Sequence, residues 1–130
     1  MVKIIPSADR RLSTTKNNLA TQSEPAYVVN LQSEGNPDFG EDSNRSISPT
    51  LKAVAKTLAE CSVVCQKYIA KFNLGGGNWV GGQIYHPDKG LVGHVSYNGR
   101  VWRCTDEKKM YDMKTPQDEF TPAEISEPIS

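Results

Sequence analysis

The sequence lacks both a charge excess and a long apolar run. Its 15 Lys and Arg residues balance 15 Asp and Glu residues, so the formal net charge is zero. A dedicated nucleic-acid-binding domain carries a dense basic stripe, which is missing here, and we therefore expect no nucleic-acid partner. No apolar run approaches the roughly 18 residues that span a membrane, and residues 1–11 lack the apolar stretch of a secretory signal. We expect a protein that is made in the cytoplasm and has no membrane partner.

Cysteine is scarce, and its spacing does not suit a disulfide framework or a zinc site. The cysteines are Cys61, Cys65 and Cys104, and no C-x-x-C pair occurs among them. Neither His86 nor His94 stands at zinc-site spacing from a cysteine. Free thiols in a reducing compartment are the favoured interpretation, and we expect no bound metal.

No catalytic signature stands out either. The glycine run at residues 75–77 lacks the lysine and the following Ser or Thr of a phosphate-binding loop. Asp88 is the only carboxylate between residues 75 and 105, so this block has no paired acids for general acid–base chemistry. The sequence therefore predicts that the protein is not an enzyme and needs no cofactor.

The clearest feature that is present is the pair Asn98-Gly99 between two runs of alternating residues. Asn-Gly readily takes the positive φ angles of a type I′ turn, which predicts a β-hairpin with a two-residue loop. In that register Val95 faces Trp102, and one face of the hairpin is apolar. We predict a three-stranded antiparallel meander from residues 78–85, 91–97 and 100–105. The apolar face would collect Leu91, Val95, Tyr97, Trp102 and Cys104.

A helix is predicted over about residues 49–74. Ser48-Pro49 is typical of a helix start, and Gly75 of a helix end. Apolar residues recur at intervals of seven, which allows two interpretations. The helix either lies across the apolar face of the hairpin or self-associates, plausibly as a trimer. The residues that would form the oligomer seam are Leu51, Val54, Leu58, Cys65 and Phe72.

The two ends of the chain are polar, and we predict them to be extended arms. Residues 1–47 contain only two short apolar islands, at residues 2–5 and 27–31, each of which could add as a strand to the sheet of a partner. The partner-binding residues would be Tyr27, Val28, Val29 and Leu31. The acidic segment 112–130 carries prolines at a spacing that forbids a long helix.

The fold class that follows is α+β, in which one amphipathic helix and a small meander lie between two arms. We place the boundaries at 1–47 for the N-terminal arm, 48–111 for the hub and 112–130 for the C-terminal arm. A hub of about 60 residues is marginally stable by itself, so partners are the remaining source of stability.

One local resemblance concerns the run VSYNGRVWRC at residues 95–104, with Trp79 upstream. It resembles the V-x-Y-x-G-x-x-[YW]-x-[CA] core of small chitin-binding modules of bacterial chitinases. The resemblance implies a carbohydrate-binding module in which exposed aromatic rings stack on sugars. The candidate glycan-binding residues are Trp79, Tyr85 and Trp102.

The layout as a whole resembles phage virion components such as capsid cement proteins, which lace arms over neighbouring subunits. This resemblance implies a non-enzymatic structural or decorating protein of a phage-like particle, assembled in the host cytoplasm and located in the virion. Its partners would be shell or tail subunits and other copies of itself. A carbohydrate-binding module and a small inhibitor or adaptor that binds a host protein are the alternatives.

Overall fold

The protein has a mixed α+β fold that is mostly β. The computed structural model describes residues 3–6, 25–42, 44–112 and 114–130. Within these residues, six strands form one antiparallel sheet in the order β1-β3-β2-β4-β5-β6. The strands are β1 Lys3–Pro6, β2 Tyr27–Leu31, β3 Leu51–Ala55, β4 Gln83–His86, β5 Gly90–Val95 and β6 Val101–Arg103. The main helix, α1, spans Leu58–Lys71, and a short helix, α2, spans Pro122–Ser126.

Helix α1 is shorter than predicted and begins nine residues later, at Leu58 instead of 49. Its N-cap is Thr57, whose hydroxyl accepts a hydrogen bond from the Glu60 backbone N–H at 3.0 Å. The Glu60 carboxylate accepts in turn from the Lys56 backbone N–H at 2.7 Å, so two of the N–H groups at the helix start are satisfied. The helix ends at Lys71, before the predicted end at Gly75. Asn73, two residues beyond Lys71, takes the left-handed conformation that is common after a helix end.

The first part of the predicted helix is instead strand β3. The segment Leu51–Ala55 alternates between the two faces of the sheet, with Ala53 and Ala55 almost completely buried against α1. Ser48 does not cap a helix, because its hydroxyl lies 2.5 Å from the Ser33 hydroxyl and 2.5 Å from that of Tyr68. Pairing with β1 and β2 satisfies the backbone of β3 on both sides, and this outweighs the helix propensity of Leu, Lys and Ala.

Strand β2 lies in the interior of the sheet. It pairs with β3 on one side and with β4 on the other, and Val29 and Leu31 have no exposed surface. The prediction that Tyr27, Val28, Val29 and Leu31 add to the sheet of a partner is therefore wrong, because both edges of this strand are already used within the chain. The other predicted island is observed as the edge strand β1. Residues 7–24, the rest of the predicted N-terminal arm up to β2, lie outside the described residues.

The described part of the predicted C-terminal arm also packs on the protein itself. The Phe120 N–H donates to the Val101 carbonyl at 3.0 Å, next to strand β6. The Ile129 N–H donates to the Lys56 carbonyl at 2.8 Å, and helix α2 contacts α1. Residues 114–130 therefore close one side of the fold, and in this respect the predicted extended arm is wrong.

The predicted hairpin is present, with a different turn and register. The Gly99 N–H donates to the Ser96 carbonyl at 2.9 Å, and within the loop only Gly99 has a positive φ. The loop therefore has three residues and is not the two-residue type I′ loop. Val95 consequently faces Val101, and Trp102 faces His94. A shift of one residue exchanges the two faces of a strand, so Trp102 leaves the predicted apolar face.

The core lies between α1 and one face of the sheet. We call the other face, which carries Gln83 and His94, the back face. Trp79, next to the start of β4, belongs to the core and donates its indole N–H to the Val95 carbonyl at 3.0 Å. The buried residues of this core cluster are Val29, Leu31, Ala53, Ala55, Leu58, Cys61, Val64, Cys65, Tyr68, Ile69, Leu74, Trp79, Ile84, Val95 and Val101.

Two glycines permit this packing by letting backbones approach closely. Gly82 has a φ of 97°, and a Cβ atom there would lie 2.2 Å from the Val95 carbonyl oxygen. At Gly81 a Cβ atom would lie 2.7 Å from the Asn30 carbonyl oxygen. A side chain at either position would push β4 away from its neighbours.

Candidate functional site

The structure separates the five residues of the predicted oligomer seam. Leu51 and Val54 are in strand β3, on opposite faces of the sheet, and therefore cannot share a helical line with the other three. Leu58 and Cys65 are buried in the core of the protein, at 4% and 0% exposure. The seam prediction is wrong, because it assumed one helix across residues 49–74. Leu51 and Phe72 nevertheless meet at the surface.

These two residues line an apolar groove between α1 and β3, which we call the helix groove. It has a volume of about 250 Å³. Val63 is its most accessible apolar residue, with 47% of its surface exposed. The complete lining is Leu51, Val63, Val64, Lys67, Tyr68, Lys71 and Phe72.

The helix groove combines apolar walls with charge of a single sign. Lys67 and Lys71 stand one helical turn apart along it, and no Asp or Glu is among its lining residues. The Lys71 ammonium lies 5.5 Å from the centre of the Phe72 ring, close enough for a cation–π contact. The Tyr68 hydroxyl is engaged, since it donates to the Pro49 carbonyl. The groove can therefore hold an apolar group and pair it with negative charge.

A second feature is a row of polar side chains on the back face. Gln83 on β4 lies opposite His94 on β5, which lies opposite Trp102 on β6. Asn30 stands on the neighbouring strand β2. Three buried atoms of these residues have no hydrogen-bond partner, namely Asn30 Oδ1, Gln83 Oε1 and His94 Nε2. We call Asn30, Gln83, His94 and Trp102 the back-face row.

Part of this row is covered by residues 105–112 and 114, which we call the strap. The Tyr111 ring packs edge-on against the His94 ring, with 5.6 Å between the ring centres. The Tyr85 hydroxyl donates to the Glu107 carboxylate at 2.5 Å. Met110 is 7% exposed and is thus the buried apolar residue of the strap.

The three candidate glycan-binding residues do not form one surface. Trp79 is buried, and its ring lies 6.0 Å from that of Tyr68 on the core side. Tyr85 is held by Glu107 of the strap, and Trp102 donates its indole N–H to the Ser96 hydroxyl at 3.2 Å. The expectation that Trp79 faces a sugar does not fit this placement, because a ring at 6% exposure cannot stack on a ligand.

All three cysteines are free and buried, and Cys61 and Cys65 belong to the core. Burial raises the pKa of the Cys61 thiol to about 12, and burial also raises the pKa of the Cys65 thiol. Thiols of this kind stay protonated at neutral pH and are poor nucleophiles.

Within the described ranges, no group of three or more His, Cys, Asp or Glu side chains could hold a metal ion. No helix in the part of the chain that the structure describes is long and apolar enough to cross a membrane.

Comparison with known proteins gives no relative for this chain. No known family, no curated protein and no solved structure matches it. Interpretation of the surfaces therefore rests on their own chemistry.

Sequence reasoning did not find the helix groove or the back-face row. In the sequence, the lysines of the groove indicate only the polar side of an amphipathic helix. Val63 is an apolar residue on that same side. The segment Leu51–Ala55 reads LKAVA, in which only Lys52 is polar, so the sequence has no apolar–polar alternation that could have revealed β3 and, with it, one wall of the groove.

Proposed function

We propose that the protein is a non-enzymatic binding component of a larger protein assembly, and that it docks through the helix groove. The observation that carries this proposal is the accessible apolar lining beside two lysines, with no Asp or Glu in that lining among the described residues. Exposed apolar surface with a charged rim is typical of a protein–protein contact. The geometry favours a short partner segment over a flat interface, because the groove is narrow and bounded by α1 on one side.

The charge of the groove defines the chemistry of the partner. Lys67 and Lys71 favour a segment that carries Asp or Glu next to a large apolar side chain. A second copy bound about a two-fold axis through the groove would bring four lysines together, and this repulsion disfavours it. The groove therefore favours a different protein as its occupant. A trimer or other homo-oligomer stays a prediction, which light scattering can test.

The assembly that we propose is a phage-like particle, in which the acidic segment belongs to a shell or tail subunit. This part of the proposal rests on the resemblance of the sequence alone, since β2 and residues 114–130 pack within the chain instead of forming arms, and the groove supplies a means of attachment. A small inhibitor or adaptor of a host protein is the second candidate, because the same groove could hold one segment of a soluble target. Cosedimentation with isolated particles separates the two, since an adaptor would stay in the soluble fraction.

The groove can be tested without knowing the partner. Random peptides displayed on a carrier are selected on the full-length protein, and their affinities are then measured for purified variants. We expect the selected peptides to combine an apolar residue with Asp or Glu. Val63→Asp, and the double change Lys67→Glu with Lys71→Glu, should each weaken binding about tenfold or more, which corresponds to about 1.4 kcal/mol.

Ala70→Asp is the matched control for Val63→Asp. Ala70 is exposed on α1 and does not line the groove, so this change adds the same charge to the same helix and should leave binding unchanged. The proposal fails if the selected peptides lack acidic residues or if they bind the Val63→Asp protein as tightly as the unchanged protein. Circular dichroism of each variant confirms that the fold is intact.

A further inference from the structure

The back-face row contains an unusual concentration of buried acceptor atoms without donors. Asn30 Oδ1, Gln83 Oε1 and His94 Nε2 all lack a partner, and His94 is only 5% exposed. A buried polar atom left without a hydrogen bond destabilises the fold by about 1–3 kcal/mol, so three such atoms on one face are costly. Unsatisfied buried polar atoms are rare in folded proteins, and those that occur call for a partner such as a water molecule, an ion or a ligand.

The loop before β4 orients two of these side chains, Gln83 and His94. The Gln83 amide nitrogen donates to the Val80 carbonyl at 2.9 Å, which turns its oxygen the other way. His94 is bonded to the Gly81 backbone, and its Nε2 atom has no partner. Burial, followed by the charge of Lys114, lowers the pKa of His94 to about 4, so the ring is neutral at physiological pH. A neutral imidazole carries a single N–H, and the bond to Gly81 raises the pKa, so the ring donates this N–H to the Gly81 carbonyl. Nε2, which has no partner, is then an acceptor, and the unpaired atoms of the row are acceptors alone.

The ligand that complements such a row has several donors and no acceptor. A guanidinium group has five N–H donors in one plane and stacks on aromatic rings. An ammonium group has three donors and is more strongly hydrated, and a water molecule donates only two hydrogen bonds. The row ends in Trp102, and the Tyr111 ring lies over His94. Aromatic rings beside acceptor atoms favour the planar guanidinium among these groups.

The strap lies over part of the row, and side chains hold it to the sheet through the Tyr85–Glu107 hydrogen bond, the contact between the Tyr111 and His94 rings, and buried Met110. Its described backbone hydrogen bonds from Lys109, Met110 and Asp112 all end on carbonyls of the strap itself. Lys114 also donates to two strap carbonyls, those of Lys109 and Met110, at 3.1 and 2.9 Å. Because these backbone bonds lie within the strap, it can separate from the sheet without breaking strand pairing. Opening would remove both the Tyr111 ring and the Lys114 charge from His94.

We propose that the back-face row is a binding site for a guanidinium group, which enters when the strap lifts from the sheet. The side chains of Asn30, Gln83 and His94 accept hydrogen bonds from it, and Trp102 flanks it. This site is on the opposite side of the sheet from α1 and is independent of the helix groove.

The direct test adds N-acetyl-arginine methylamide to the full-length protein, labelled with ¹⁵N in its imidazole and indole groups. We expect saturable shifts of His94 Nε2 and Trp102 Nε1 in the NMR spectrum. N-acetyl-lysine methylamide at the same concentrations should not produce them. An arginine-containing peptide that binds more tightly than the amide identifies a polypeptide as the source of the group, and equal affinities identify a small molecule.

Variants distinguish the row from other parts of the surface. His94→Phe keeps a ring and removes the acceptor, and we expect it to weaken binding of the arginine amide about tenfold or more. Tyr111→Ala removes the ring that covers His94 and should strengthen binding. Gln117→Met, an exposed change outside the row, and Val63→Asp in the helix groove should have no effect.

Three results would overturn the proposal. The first is the absence of a saturable shift with either arginine probe. The second is an equal response to the lysine amide, which would indicate binding of any cation. The third is unchanged affinity in both His94→Phe and Tyr111→Ala. None of these results bears on the helix groove, so the two proposals stand or fall separately.

Discussion

Replacement of Trp79 by phenylalanine tests whether this residue supports the core or binds a ligand. Its indole N–H donates to the Val95 carbonyl at 3.0 Å, and 6% of its surface is exposed. Phenylalanine removes the donor and leaves the carbonyl oxygen without it, at a cost of about 1–3 kcal/mol. The smaller ring also leaves a gap beside Tyr68, which adds about 1 kcal/mol. We expect a total loss of about 2–4 kcal/mol in the free energy of unfolding.

Trp102→Phe is the matched comparison, because it makes the same chemical change at a partly exposed position. The Trp102 indole N–H donates to Ser96 near the loop of the hairpin, where water can replace it. We therefore expect a loss below about 1 kcal/mol. Urea denaturation followed by circular dichroism measures both values at constant m.

The comparison also decides between the core and a glycan-binding role for Trp79. If the two variants are equally stable, or if Trp102→Phe is the less stable of the two, our account of the core is wrong. A chitin pull-down completes the test. Should Trp79→Phe remain folded yet lose a chitin retention that the unchanged protein possesses, Trp79 would be a ligand-binding residue.

Two further predictions concern the backbone at β4 and the charge state of the back-face row. Gly82→Ala should lower the free energy of unfolding, measured by urea denaturation, by at least about 2 kcal/mol more than Gly90→Ala does. Both glycines have a positive φ, but only at Gly82 would a Cβ atom lie close to the Val95 carbonyl oxygen, at 2.2 Å. Equal losses in the two variants would contradict the close approach. Burial and then Lys114 lower the pKa of His94 from 6.5 to about 4, so between these values the unfolded chain binds more protons. Stability should therefore fall by up to about 3 kcal/mol as the pH drops through this range. His94→Phe should flatten that slope, and an unchanged slope would assign it to other groups.

The coarse fold could be predicted from the sequence where one local signal dominated. The Asn98-Gly99 pair indicated a hairpin, and the alternation around it indicated the meander of β4, β5 and β6. The Asn98-Gly99 pair alone could not predict the register of the two hairpin strands. Asn-Gly suits both a two-residue loop and the last two positions of a three-residue loop, and packing of Val95 and Val101 against α1 selects the second.

The start of the helix was predicted wrongly because the local helix propensity of the segment Leu51–Ala55 opposes its pairing as a strand. Leu, Lys and Ala favour a helix, and Ser48-Pro49 resembles a helix start. Strand pairing on both sides decides the outcome, and both partners of β3 precede it in the chain, one of them by some 45 residues. Local propensity cannot report contacts at that separation.

The candidate sites were predictable only in fragments. The sequence marked Leu51 and Phe72 as interface residues, for a helical spacing that the chain does not have. They meet because β3 and the end of α1 lie side by side, so their shared surface is a property of the tertiary fold. The back-face row could not be predicted from the sequence, because a buried atom without a hydrogen-bond partner can be recognised only when the positions of all its neighbours are known.

The core is larger than the sequence predicted, so low stability is no longer a reason to expect partners. A hub limited to residues 48–111 would be marginal, and its instability alone would call for oligomerisation. The observed core also includes Val29 and Leu31 from β2, and Phe120 and Ile125 pack against it from the C-terminal segment. A core assembled from this much of the chain no longer needs a partner to supply its apolar contacts. Binding must then be inferred from exposed surface, and the helix groove is where an apolar lining lies open beside unbalanced charge. A variant such as Val63→Asp, which alters that lining and leaves the core intact, therefore separates binding from stability.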